Sequence, residues 1–154
     1  MSFPEGLVKK PRTIGVQENA MDAARIMASY GIGSLIVIDA DRPVGVVTDR
    51  DLALKVLCNE LDPEFCMVGD CMNDEVVSIC EEEGTTKAID LMRRYEIRRL
   101  PVVTKEGRLV GIVSSDDLII SLAHDLTDLS SVIRTEISQE NTKKPPVVAR
   151  LGGE

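Results

Sequence analysis

Gly45-Val46-Val47-Thr48-Asp49-Arg50-Asp51-Leu52 returns later in the chain as Gly111-Ile112-Val113-Ser114-Ser115-Asp116-Asp117-Leu118. The echo reaches upstream. Ala23, Ile26, Met27, Tyr30 and Ile32 recur 65 positions on as Ala88, Leu91, Met92, Tyr95 and Ile97, and Leu35-Ile36-Val37-Ile38 recurs as Leu100-Pro101-Val102-Val103. One additional residue in the loop before Arg108 lengthens the offset to 66. A repeat of this length implies two copies of one structural unit, so a site on one copy predicts a twin on the other.

Each copy reads as strand, helix, strand, strand, helix. In the first, a short strand near Thr13–Val16 precedes a helix over Ala20–Tyr30, in which Ala23, Ile26, Met27 and Tyr30 fall on one face at i, i+3, i+4 and i+7. Gly31 and Gly33 end that helix. Ser34–Ile38 is a continuous branched apolar run, the mark of a buried strand. Asp39–Arg42 turns into a strand over Pro43–Val47, and a helix begins at Thr48 and runs to Leu57. The second copy retraces this with Val76–Ile79, Thr85–Tyr95, Leu100–Val103, Leu109–Val113 and a helix from Ser115. The Met and Tyr positions of both helices are expected in the core. The last helix carries apolar residues past Leu122, Leu126, Leu129, Ile133 and Ile137, well beyond its counterpart. The tail from Thr142, with Pro145-Pro146 and Gly152-Gly153, is expected to lack order.

Size and composition bound the function. At 154 residues the chain fits two intimately packed halves, and a core of about 60 residues is marginal alone, so the halves are expected to share one. The net charge of −8 weighs against nucleic acid, whose phosphates need clustered cations. No run is long and apolar enough to span a membrane. Met1-Ser2-Phe3-Pro4-Glu5 lacks the basic-then-apolar pattern of a signal peptide. Cys58, Cys66, Cys71 and Cys80 form no C-x-x-C pair and His124 is the only histidine, so no metal site is expected; the thiols read as reduced, in a cytoplasmic protein. Glu81-Glu82-Glu83 reads as a solvated helix start, and His124 as structural.

The chemistry sits in the repeated Gly, two apolar residues, Thr or Ser, two variable residues, Asp. Its glycine permits close approach of a neighbour or a ligand. Thr48-x-x-Asp51 and Ser114-x-x-Asp117 both fit a helix N-cap with an acid at N3, which needs no ligand. The same carboxylate can accept hydrogen bonds from the vicinal hydroxyls of a ribose, and helix N-termini nearby favour an anion. The two roles are compatible.

The doubled pattern, with its L-P-V-V-type strands, resembles a pair of cystathionine-β-synthase (CBS) domains, a Bateman module, over about Leu7 to Ala123. The resemblance implies an α/β fold of two β-α-β-β-α repeats, residues 7–66 and 67–123, packed with pseudo-two-fold symmetry, with 124–154 as a C-terminal helical extension and tail. It implies clefts between the repeats for adenosine derivatives: AMP, ADP, ATP or S-adenosylmethionine. One cleft would use Asp51 and Thr48 for ribose, with Val77, Val46 and Ile97 about the base. The other would use Asp117 and Ser114, with Thr13, Ile32 and Ile112. Phosphate-binding members have basic residues just before the L-P-V strand, where Arg98 and Arg99 stand. Arg50, beside Asp51, is another candidate, while its counterpart Asp116 would repel phosphate. The Asp51 cleft is therefore the expected better nucleotide site. The function implied is a stand-alone, non-enzymatic regulatory module that requires no cofactor, pairs as a homodimer and signals to a separate protein of unknown identity. The alternative is a ligand-free interaction module that works through its C-terminal helix.

Overall fold

The structure is a computed structural model, and it describes residues 2–142. The element order is β1 (Thr13–Gly15), α1 (Ala20–Tyr30), β2 (Ser34–Asp39), β3 (Arg42–Thr48), α2 (Asp49–Asp51) running on as a π-helical stretch (Leu52–Leu57), α3 (Val68–Cys71), β4 (Ile79–Cys80), α4 (Gly84–Tyr95), β5 (Arg99–Val103), β6 (Leu109–Ser114) and α5 (Ser115–Thr142). The strands make two sheets ordered β1-β2-β3 and β4-β5-β6, each with one parallel and one antiparallel pairing. This is the expected mixed α/β fold of two repeats followed by a C-terminal helix. The chain divides between Leu118 and Ile119 into two units. The tail expected to lack order lies, from residue 143 on, outside the described residues.

Helix α1 begins where the Asn19 side chain accepts the Asp22 N–H, and it ends at left-handed Gly31. Ala20, Ala23 and Met27 are buried on its inner face, as are Ala88 and Met92 in α4. The tyrosines depart from expectation: Tyr30 and Tyr95 are 53% and 52% exposed. Each is the last residue of its helix, at the end of the apolar stripe, and Tyr30 stays on the surface with the Arg12 guanidinium 3.7 Å from its ring centre.

The expectation of one shared core is corrected. Each repeat keeps its own aliphatic cluster, around Leu35, Val37 and Val47 in the first and around Leu100, Val102 and Val113 in the second. What is shared is the lead-in to each. Leu7, upstream of the first repeat, is buried in the second cluster with Phe3 and Val8 against it. Val68 and Cys71, upstream of β4, are buried in the first, with Met72 against it. Each half is completed by chain that leads into the other.

Paired hydrogen bonds fix this exchange. Lys9 and Ile112 exchange both backbone bonds at 2.9 Å, and Asn73 and Val46 do the same at 2.9 Å. Val46 and Ile112 are equivalent positions of the repeat, each one residue after the motif glycine. The glycines are required by this crossing. A Cβ on Gly45 would stand 2.9 Å from the Asn73 carbonyl oxygen and collide with Met72 Sδ, and one on Gly111 would stand 3.0 Å from the Lys9 carbonyl oxygen and collide with Val8 Cγ1. The close approach is to a neighbouring segment of the chain.

Two elements depart from their expected form. The second short strand is Ile79–Cys80 rather than Val76–Ile79, because residues 74–78 have no regular structure and only Ile79 and Cys80 pair with β5. The helix over Thr48–Leu57 holds one α-turn before widening, with the Cys58 N–H donating to the Ala53 carbonyl and Leu61 to Val56, both five residues back. Asn59 closes that end by donating to the Leu54 and Lys55 carbonyls.

Gly45→Ala and Gly111→Ala are each expected to destabilise the protein by about 1–3 kcal/mol through overpacking. Thermal melts read this as a Tm lowered by several degrees, and an unchanged Tm would mean that the lead-in segments can step aside.

Candidate functional site

Both motif hydroxyls cap the helix that follows them. Thr48 Oγ1 accepts the Asp51 N–H at 3.1 Å, while Asp51 Oδ2 accepts the Thr48 N–H and hydroxyl, both at 2.9 Å, completing a capping box. In the second repeat Ser114 Oγ accepts the Asp117 N–H at 3.1 Å and donates to Asp117 Oδ2 at 2.6 Å. Each carboxylate therefore spends one oxygen on the cap.

The other oxygen holds a lysine in both repeats. Asp51 Oδ1 lies 3.2 Å from Lys55 Nζ, which also donates to the Cys71 carbonyl at 3.0 Å. Asp117 Oδ1 pairs with Lys9, which the lead-in crossing brings from 108 residues away. Sequence reasoning missed both lysines. Lys55 was visible as an i,i+4 partner of Asp51; Lys9 had no local signal.

The fields follow from these contacts. Burial pushes the Asp51 carboxyl up, but the Thr48 N–H and hydroxyl and the Lys55 ammonium outweigh it and hold it below the usual carboxylate range. The Lys9 ammonium and the Ser114 hydroxyl, against a smaller effect of burial, do the same for Asp117. Burial and the neighbouring Cys66 push the Cys71 thiol up to about 11. Cys71 is buried, Cys66 and Cys80 half-buried, and Cys58 exposed, all four free.

The arginines divide as the sequences around them do. Arg98 Nη2 pairs with Asp116 Oδ1 at 3.1 Å, and Arg99 Nη1 donates to Ser34 Oγ, its own counterpart in the first repeat, at 3.4 Å. Arg98, Arg99 and Asp116, together with Ser114 and Ser115, line a pocket. Asp116, expected to repel phosphate, thus carries a counter-charge. Arg50 is exposed beside Asp49, whose Oδ1 accepts the Arg50 backbone N–H at 2.8 Å. The N-terminus of α2 is saturated, because the Asp49 N–H goes to the Gly33 carbonyl, that of Arg50 to Asp49 and that of Asp51 to Thr48.

The residues expected about the bases are half-buried: Thr13, Ile32, Val46, Val77, Ile97 and Ile112. Thr13 opens β1, Val46 and Ile112 lie on β3 and β6, and Ile32 and Ile97 follow the two helices. Val77 sits in the irregular segment two residues before β4, packed against the second core. Among the described residues no cluster of three or more His, Cys, Asp or Glu could hold a metal ion, and no helix is long and apolar enough to cross a membrane.

The chain matches the CBS domain family over residues 7–57 and 68–124. It is 36% identical over 103 residues to the uncharacterized protein MK0525 of Methanopyrus kandleri, covering 66% of this chain and 53% of that one, so it spans about half of that relative's length. The solved structure of the CBS domain pair of protein MJ0100 in complex with 5′-methylthioadenosine and S-adenosyl-L-methionine is 25% identical, with a TM-score of 0.65 over 81% of this chain and 98% of that one. The CBS domain protein PAE2072 from Pyrobaculum aerophilum, complexed with AMP, is 26% identical, with a TM-score of 0.62 over 77% and 95%.

Because both motif carboxylates are held below their ordinary values, their stabilisation is full above the unfolded value near 4 and is lost as pH falls through the lower folded values. The double variant Asp51→Asn, Asp117→Asn should be less stable than wild type at pH 7 and should show a shallower fall in Tm between about pH 5 and pH 3. Parallel curves would remove the carboxylates from the acid response. Thr48→Ala alone should cost about 1 kcal/mol in denaturant melts.

Proposed function

The chain belongs to the CBS domain family, and we propose that it is a cytoplasmic regulatory module without catalytic activity. It takes an adenosyl ligand at its motif carboxylates and passes the change in packing to a separate protein. The observation that carries this reading is the duplicated hydroxyl–carboxylate pair, each with one oxygen held only by a lysine ammonium. Ribose hydroxyls can replace that ammonium on Asp51 and Asp117. AMP in one relative's structure, and 5′-methylthioadenosine with S-adenosylmethionine in another, support the ligand class.

We infer that the Asp117 side suits a phosphate-bearing ligand, the reverse of the order expected from sequence, because two arginines and one acid line the pocket beside it. Arg98 neutralises Asp116, and Arg99 reaches the same space. Arg50, by contrast, stands beside the Asp49 carboxylate at a saturated helix start. Ligand binding at Asp117 would release Lys9 and so loosen the lead-in that crosses β6. That supplies a route from an occupied cleft to a change in packing, because ligand affinity then differs between the two arrangements. Val77, Val46 and Ile97 on one side, and Thr13, Ile32 and Ile112 on the other, are the residues proposed for the adenine.

Calorimetric titration with AMP, ATP and S-adenosylmethionine tests the reading. Saturable binding is expected, weakened at least tenfold by Asp117→Ala or Asp51→Ala according to the cleft, and by Arg99→Ala for phosphate-bearing ligands. Lys9→Ala should tighten binding at Asp117 by removing the competing ammonium. No heat from any of the three ligands would leave the acids as helix caps.

A further inference from the structure

Within α5, Ile119, Leu122, Leu126, Leu129 and Ile133 recur at spacings of three, four, three and four. That is the 3.5-residue repeat of a coiled-coil seam. All five are exposed, and Val132 and Ile137 beside them are exposed as well, the seven ranging from 43% to 68%. We propose that this stripe is an association surface for the α5 helix of a second copy of the same chain.

Four features select that occupant. The seam is self-complementary, since a/d knobs on one helix fit the holes of an identical one. Its flanks carry little charge: Ala123, Ser130 and Ile137 line one edge, and Val132 and Gln139 line the other with a lone acid, Asp125. Charge is acidic overall, with Asp125, Asp128, Glu136 and Glu140 against Arg134, which disfavours an anionic lipid surface; helices that lie on membranes are rich in lysine and arginine. Seven apolar side chains, each 43% to 68% exposed, run along this one helix, a contiguous apolar surface of the kind that marks association sites.

The helix also needs a partner to persist. Ser121, Thr127, Ser130, Ser131, Val132, Ile133, Thr135 and Ser138 are poor helix formers. A helix of this composition draws its stability from burial of its apolar face rather than from propensity.

The test is sedimentation of the full chain over a range of concentrations. It compares wild type, Leu126→Glu with Leu129→Glu on the seam, and Thr127→Glu with Ser131→Glu on the opposite face. Wild type and the opposite-face variant are expected to self-associate equally. The seam variant should dissociate at least tenfold more readily, lose helical circular dichroism and retain the thermal transition of residues 1–118. A monomeric wild type, or a seam variant with unchanged association, overturns the proposal. So does a wild type that remains monomeric but co-sediments with vesicles of phosphatidylcholine and phosphatidylserine.

Discussion

The structure depends on the crossing of each lead-in segment over the opposite repeat's motif glycine. At Lys9–Ile112 and Asn73–Val46 the backbone bonds come in reciprocal pairs at 2.9 Å. Neither crossing leaves room for a Cβ at Gly111 or Gly45. The crossing delivers Leu7 to one core and Val68 with Cys71 to the other. A half of about 60 residues has a marginal core, and here each is filled by residues the other half leads in. The two repeats are thereby committed to one unit without merging their interiors.

The same crossing shapes the candidate site. It brings Lys9 across 108 residues of sequence to Asp117, while Lys55 reaches Asp51 from one turn along its own helix. Twin carboxylates thus carry twin ammonium partners by different routes. Lys55 belongs to the same helix as its carboxylate, whereas Lys9 belongs to a lead-in segment whose neighbours help fill a core. Arg99 and Ser34, equivalent positions of the two repeats, meet across the halves.

Much of this was legible because the repeat supplies two readings of every element. Helix α1 was bounded as Ala20–Tyr30 by its apolar spacing and Gly31, and it has those bounds. Thr48 and Ser114 were legible as caps because capping is a three-residue relation. What escaped rests on pairing partners, on where elements end and on side-chain contacts, which composition and period do not carry. Val76–Ile79 has strand composition, yet pairing with β5 begins only at Ile79. The tyrosines obey the helical period but sit where the helices end, and periodicity carries no information on where a stripe leaves the core. The π-helical stretch ends where Asn59 turns back to the Leu54 and Lys55 carbonyls, a contact that no propensity scale contains. The glycines were read as allowing a neighbour or a ligand, and only the fold identifies the neighbour.

On the proposed function, an adenosyl ligand takes the motif carboxylates from their lysines. A crystal structure of the protein with AMP and, separately, with S-adenosylmethionine tests it most directly. Ribose hydroxyls are expected within hydrogen-bond distance of Asp117 or Asp51, with Lys9 or Lys55 moved off that carboxylate and the cap to Ser114 or Thr48 intact. Ligand bound elsewhere, with both lysine–carboxylate pairs undisturbed, would contradict it.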